Sequence, residues 1–139
     1  MGSERQDNGL ADSSAWETLE PPYVVALDPV SGLITCRITG PLWYSIPEKL
    51  AVEFGDAMVA ARRHHPRLRM LWDDREKGII SAEAYRLLVD RLRPLRRPGD
   101  RSAVLVSSSL MKVRMRPNTL NAQIFVSESA AMTWLNAWG

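Results

Sequence analysis

The chain has 139 residues, of which 45% are hydrophobic and 24% charged, the composition of one globular domain. A chain of this length buries a sufficient core without a disulfide or a structural metal ion. The single cysteine, Cys36, lies in an alternating apolar segment, which predicts a buried thiol and suits a reducing, cytoplasmic compartment. No apolar stretch approaches the ~20 residues of a membrane helix, so we expect no membrane insertion.

Charge is distributed unevenly along the chain. Residues 1–61 carry 3 basic and 9 acidic side chains, whereas residues 62–116 carry 15 basic and 6 acidic ones. Such polarity indicates an anion-binding face, a basic half screened by the acidic leader, or head-to-tail association of two copies.

The first 22 residues are polar and acidic and end in Pro21–Pro22. They lack the apolar centre of a signal peptide, and their composition predicts a flexible leader. We therefore expect a leader over residues 1–22 and one folded domain over residues 23–139.

Residue periodicity predicts the secondary structure in chain order. Residues 23–28 and 33–39 are rich in β-formers and flank a short turn with proline and glycine, which is typical of an antiparallel hairpin. Ser45 is the expected N-cap of a helix over residues 46–64, whose apolar residues recur at three- and four-residue spacing. The later predicted elements are a strand over 68–72, a helix capped by Ser81 and ended by Pro94, a strand over 102–107, a short helix near 107–116 with Leu110 and Val113 facing inward, a strand over 122–126, and a helix opened by Ser127.

The predicted order of elements is β-β-α-β-α-β-α-β-α. Repeated β-α units favour parallel strands joined by right-handed crossovers, with helices packed on the sheet. The sequence therefore predicts an α/β fold with a single-layer, mixed, mostly parallel five-stranded sheet.

Several short segments of the sequence resemble those of a known protein family. They are a hairpin ending in ITG, the segments RLRMLWDD, ISAEAYRLL and SAVLVS, and the ending AQIFVSESAAMTWL. Together they resemble the SpoIIAA-like branch of the STAS domain family, which is grouped with SEC14-like lipid-binding domains. The resemblance covers residues 23–138 and implies the fold of that family.

The resemblance also implies a place for a phosphorylation site. STAS proteins of the anti-sigma-antagonist type carry a phosphorylatable serine or threonine where the helix after the third strand begins. Residues 73–78 read DDREKG at that junction, with no hydroxyl group directly after the strand. Ser81 is the nearest phosphorylation candidate, but N-capping already explains it, which counts against a sigma-factor phosphoswitch.

Two acids, Asp73 and Asp74, follow the third strand, where parallel sheets gather their ligands. They are candidates for ligand or partner binding, together with Arg75, and for a catalytic base. Adjacent strand residues point to opposite faces, however, so the two carboxylates should diverge. Arg75 and Lys77 are close enough in sequence to neutralise them, which favours a salt-bridged loop over a metal or catalytic site.

An arginine-rich stretch and an aromatic pair are the other candidate binding residues. Trp43 and Tyr44 follow a Gly-Pro break and form either an exposed interface or part of the core against the first helix. The stretch lacks the interleaved aromatic residues of single-strand nucleic-acid binding, so we expect no nucleic-acid partner. The anion-binding candidates in this arginine-rich stretch are Arg91, Arg93, Arg96 and Arg97. The alternative hypothesis is that these arginines form a solvated face.

The sequence contains no glycine-rich phosphate loop, nucleophile elbow or metal-ligand cluster, so we expect no cofactor and no metal ion. The first functional hypothesis is a non-enzymatic, cytoplasmic STAS-like module that binds a protein partner or itself. The second is a carrier of a lipid or another apolar small molecule, as the SEC14 likeness implies, which requires a cavity of several hundred cubic ångströms. The third is a small enzyme that uses Asp73 or Asp74.

Overall fold

The computed structural model describes residues 20–114 and 122–137. The leader predicted over residues 1–22 lies outside the described residues, apart from its last three. Within the described ranges the strands are β1 (Tyr23–Leu27), β2 (Leu33–Ile38), β3 (Arg69–Asp73), β4 (Arg101–Leu105) and β5 (Ala122–Phe125). The α-helices described there are α1 (Ile46–Arg62), α2 (Ala82–Leu92), α3 (Ser109–Arg114) and α4 (Glu128–Leu135), and a 3₁₀ turn, Arg93–Leu95, follows α2.

The five strands form one sheet in the order β1-β2-β3-β4-β5. β1 pairs antiparallel with β2, and every later neighbouring pair is parallel, as predicted. The hairpin turn is closed by the Asp28 carboxylate, which accepts hydrogen bonds from the Val30 N–H at 3.0 Å and the Ser31 hydroxyl at 2.9 Å. Gly32 follows with φ of 75°, a left-handed conformation that glycine adopts without a steric penalty.

The larger hydrophobic core lies between the sheet and α1. Because side chains alternate along a strand, Ile34, Cys36 and Ile38 point to the same face, and all three are buried there, as the alternation predicts. Phe54 of α1 stacks on Trp72 of β3 with a centroid distance of 4.2 Å. Helix α2 packs mainly against α1 and adds Leu88 and Leu92 to this core.

A second, smaller core lies on the opposite face of the sheet, under α4. Ser127 begins this helix by accepting a hydrogen bond from the Ala130 N–H, as predicted. The Arg101 guanidinium lies 4.9 Å from the Trp134 ring centroid and donates to the Trp134 carbonyl oxygen. These contacts attach α4 to β4.

Ser45 occupies the N-cap position of α1, as predicted, although its side chain makes no capping hydrogen bond. Two other local predictions are wrong. Helix α1 ends at Arg62 rather than at residue 64. Leu110 and Val113 of α3 were expected to face inward, yet both are exposed. Helical spacing predicts that two residues share a face, but it does not determine whether another element covers that face.

Candidate functional site

The carboxyl ends of β2, β3, β4 and β5 meet at one edge of the sheet, since these strands are parallel. The loops after β2 and β3 are joined there: the Leu42 N–H donates to the Ile79 carbonyl and the Gly78 N–H to the Gly40 carbonyl, both at 3.0 Å. A Cβ on residue 78 would lie 2.6 Å from the backbone nitrogen of Pro41. This position therefore needs glycine, because only glycine allows the two backbones to approach so closely.

The aromatic pair Trp43–Tyr44 projects from this junction into solvent. Trp43 is 46% exposed and Tyr44 is 77% exposed. The hypothesis that these residues pack into the core against α1 is therefore wrong. Their rings meet edge to face at a centroid distance of 6.3 Å. Tyr44 has φ of 56°, a conformation that is rare for a bulky residue and occurs where the surrounding structure enforces it.

An open cleft of about 670 Å³ separates this aromatic pair from the first turn of α2. Ile79, which is 72% exposed, forms part of its wall, and Ala84 and Leu87 of α2 lie opposite. Ser81 also lines the cleft, and its hydroxyl accepts a hydrogen bond from the Ala84 N–H at 3.0 Å, the N-cap role that the sequence predicts.

The two aspartates diverge, as strand alternation requires. Asp73 accepts two hydrogen bonds from the Arg75 side chain, at 2.9 and 2.7 Å, and Arg75 also pairs with Glu128 of α4 at 3.2 Å. The Arg75 hydrogen bonds hold the pKa of Asp73 below its usual range. Asp73 and Arg75 are thus already paired with each other on the α4 side of the sheet.

Asp74 lies on the other side, where it is largely buried. Its N–H donates to the Leu105 carbonyl at 2.9 Å, and Lys77 Nζ donates to Oδ2 at 3.1 Å. The side chain is 10% exposed, and Oδ1 has no hydrogen-bond partner among the described residues. Burial raises the pKa of Asp74, while the Lys77 ammonium opposes the rise.

Asp74 lines a mainly apolar cavity of about 140 Å³ between α2 and strands β2–β5. The strand register aligns Trp72, Val104 and Ile124 across the sheet, so these side chains form its floor on one face. Arg96 also lines it and donates to the Ser102 hydroxyl at 2.6 Å. The volume falls short of the several hundred cubic ångströms that the lipid-carrier hypothesis requires.

The structure does not bring the four anion-binding candidates together. Arg91 pairs with Glu48 of α1 at 3.1 Å, and Arg97 lies in a separate depression beside α1. Arg93 and Arg96 both line the Asp74 cavity, where burial lowers the pKa of Arg96. The basic stretch is thus divided among several surroundings rather than presented as one face.

Nothing in the local sequence indicates that Lys77, Arg96 and Ser102 line a cavity together with Asp74. The one available signal was Ser102, a polar residue at the start of the strand predicted over residues 102–107. Among the described residues, no group of three or more histidine, cysteine, aspartate or glutamate side chains is arranged to hold a metal ion. None of the helices in the described ranges is long and apolar enough to cross a membrane.

Comparison with solved structures identifies the fold. The anti-sigma factor antagonist SpoIIAA in its unphosphorylated form superposes with a TM-score of 0.59 and 14% sequence identity, covering 84% of this chain and 99% of that chain. A DUF3478-family protein with a SpoIIAA-like fold from Shewanella loihica superposes with a TM-score of 0.64 and 15% identity, covering 85% of this chain and 97% of that chain. No protein-family model matches the sequence, and neither does any curated protein. The predicted STAS/SpoIIAA-like α/β fold is therefore confirmed.

Proposed function

We propose that this chain is a non-enzymatic, cytoplasmic STAS-like module that binds a protein partner or a second copy of itself. The surface that carries the interaction is the aromatic cleft, defined as Trp43, Tyr44, Ile79 and the facing turn of α2. The single observation that supports this assignment most strongly is the exposure of both aromatic rings beside a cleft of about 670 Å³.

Exposed aromatic residues are the side chains that protein interfaces favour. Tryptophan and tyrosine are enriched at the centres of interfaces, where they fill pockets and contribute most of the binding free energy. Trp43 and Tyr44 are also held in place, because the hydrogen bonds from Leu42 and Gly78 join the loops that carry them. A preformed surface loses less conformational entropy on binding than a flexible one.

The arrangement of the acids favours binding over catalysis. Asp73 and Asp74 lie on opposite faces of the sheet, and each has a cationic partner in its own loop. They therefore do not form the paired carboxylates that acid–base hydrolysis uses. The SpoIIAA structure supports the same choice by analogy, since that protein is an anti-sigma factor antagonist.

The experiment starts with the full chain purified from its own host after chemical cross-linking, which retains a bound protein. Sedimentation velocity then tests self-association, and calorimetry measures the affinity of any identified protein partner. The double variant Trp43→Ala/Tyr44→Ala should weaken the complex more than about tenfold, as expected when interface hot spots are truncated. Circular dichroism checks that the variant is folded.

The matched control is Val30→Ala. Val30 is an apolar residue that is 87% exposed, and it lies in the β1–β2 turn at the opposite edge of the sheet. This variant should keep the affinity of the unaltered protein. Equal affinities for the double variant and the control would contradict the assignment of the aromatic cleft.

A further inference from the structure

The buried carboxylate of Asp74 is incompletely satisfied. Lys77 Nζ contacts Oδ2 at 3.1 Å, but Oδ1 has no donor within the residues the structure describes. Folded proteins rarely bury a carboxylate oxygen in this way, because the lost hydration is not replaced. The side chain lines the cavity under α2, so the cavity is the open space next to this carboxylate.

The cavity has the size and lining of a site for one ring. Its volume is about 140 Å³, and most of its wall is formed by apolar side chains. An apolar cavity of about 150 Å³ in another protein accommodates benzene. The stacked contact of Trp72 with Phe54 fixes part of the floor, which keeps the space from closing by a rotation of the indole.

The charges around the cavity select a neutral ligand. Lys77 neutralises Asp74, and the guanidinium groups of Arg93 and Arg96 add positive charge to the same wall. An ammonium ligand is repelled by these two guanidinium groups. A carboxylate ligand has no proton to donate, so it leaves the Asp74 oxygen unsatisfied. A hydroxyl group supplies the donor without adding a charge.

We infer that this cavity binds a small neutral molecule with an apolar body of about one ring and a hydroxyl group that donates to the Asp74 carboxylate. Oδ1 is also shielded from water in this structure. The donor therefore reaches the carboxylate after a turn about the Cβ–Cγ bond, a soft torsion that lets Lys77 and the ligand share the two oxygens. This site is separate from the proposed protein-binding function and does not depend on it.

The test uses fluorine NMR on the full chain with four probes that share one ring. They are 4-fluorophenol, fluorobenzene, 4-fluorobenzylammonium and 4-fluorobenzoate. We expect 4-fluorophenol to bind roughly tenfold more tightly than fluorobenzene, the gain of one hydrogen bond to a charged acceptor. In a proton–nitrogen correlation spectrum, the indole N–H resonance of Trp72 should shift on binding, which locates the probe in the cavity.

Two variants and a control distinguish binding in this cavity from nonspecific binding of the probes. Asp74→Leu removes the acceptor at similar volume, so the preference for 4-fluorophenol over fluorobenzene should disappear. Val104→Phe fills the cavity from its floor and should abolish binding of both probes; it also keeps the test decisive where Asp74→Leu does not fold. Asp73→Asn changes the neighbouring carboxylate on the opposite face and should leave binding unchanged.

Three results would overturn the inference. The absence of binding at millimolar probe concentrations would leave a cavity that holds water only. Equal affinities for 4-fluorophenol and fluorobenzene would remove Asp74 from the site. Tighter binding of the ammonium or the carboxylate probe would exclude a neutral ligand.

Discussion

Replacing Asp100 with alanine should destabilise the protein more than any change at an exposed ion pair. The Asp100 carboxylate is fully buried and accepts four hydrogen bonds. Two come from the Arg62 guanidinium at 2.7 and 2.8 Å, and the backbone N–H groups of Leu68 and Arg97 each donate one at 2.9 Å. This one side chain therefore joins the end of α1 to the segments that precede β3 and β4.

The expected loss in the free energy of unfolding is about 3–5 kcal/mol, the usual effect of removing one partner of a buried ion pair. The Asp100→Ala variant leaves two backbone donors without acceptors and deprives Arg62 of its carboxylate, although Arg62 still donates to the carbonyl oxygens of Pro66 and Leu95. Since domains are stable by about 5–15 kcal/mol in total, the loss is a large fraction of the whole.

Urea denaturation at pH 7, followed by circular dichroism, measures this loss. The control is Asp90→Ala, since the Asp90–Arg93 pair is exposed and its N···O distance is 3.4 Å, which predicts a loss below about 1 kcal/mol. A double replacement of Asp100 and Arg62 by leucine should be less harmful than Asp100→Ala, because it removes both charges together. Losses of similar size for Asp100→Ala and Asp90→Ala would refute the reasoning.

Lowering the pH should reduce the difference in the free energy of unfolding between the native protein and the Asp100→Ala variant. Burial alone would raise the pKa of Asp100, but the hydrogen bonds from Arg62 and from the backbone N–H groups of Leu68 and Arg97 together hold it below its usual range. The stabilisation from Asp100 is therefore present above the pKa of the unfolded chain and is lost as pH falls through the lower folded value. The difference between the native protein and Asp100→Ala should narrow below about pH 4.

Two further predictions concern the candidate sites. Burial raises the pKa of Asp74, so between its ordinary value and the raised one the folded protein binds more protons than the unfolded chain, and acidification stabilises the fold through this group. The side chain in Asp74→Asn does not titrate, so the free energy of unfolding of this variant, relative to that of the native protein, should be lower at pH 4 than at pH 7. Urea denaturation at both pH values measures this difference. A difference that does not change with pH would contradict the raised pKa. Gly78→Ala should cost about 1–3 kcal/mol, because its methyl group would lie 2.6 Å from the backbone nitrogen of Pro41. Unchanged stability of this variant would show that the two loops separate easily.

The regular parts of the fold were predictable because their signals are local. Apolar alternation identified the buried face of β2, and Ser81 and Ser127 marked the starts of α2 and α4 as capping residues. The apolar run around Leu71 identified the central strand, since a strand covered on both faces needs no polar side. Repeated β-α units then determined the parallel arrangement.

The sites were harder to predict because they depend on residues far apart in the sequence. Asp100 pairs with Arg62 across 38 positions, and no local spacing indicates that contact. The cavity under α2 combines side chains from four strands and a helix, so its existence depends on how closely the helix approaches the sheet. The sequence predicted that Asp74 lies at this edge of the sheet, but only packing determines that one of its oxygens is buried with no donor among the described residues.

The two proposed sites share a wall. Leu42 is buried, lines both the aromatic cleft and the Asp74 cavity, and donates its N–H to the carbonyl oxygen of Ile79 in the cleft. Any displacement of this side chain by a molecule in the cavity therefore acts on the loop that carries the aromatic pair. If occupation of the cavity changes the affinity for a protein partner by some factor, thermodynamic linkage requires the partner to change the affinity for the small molecule by the same factor. A factor of one, measured in either direction, would show that the two sites are adjacent but not coupled.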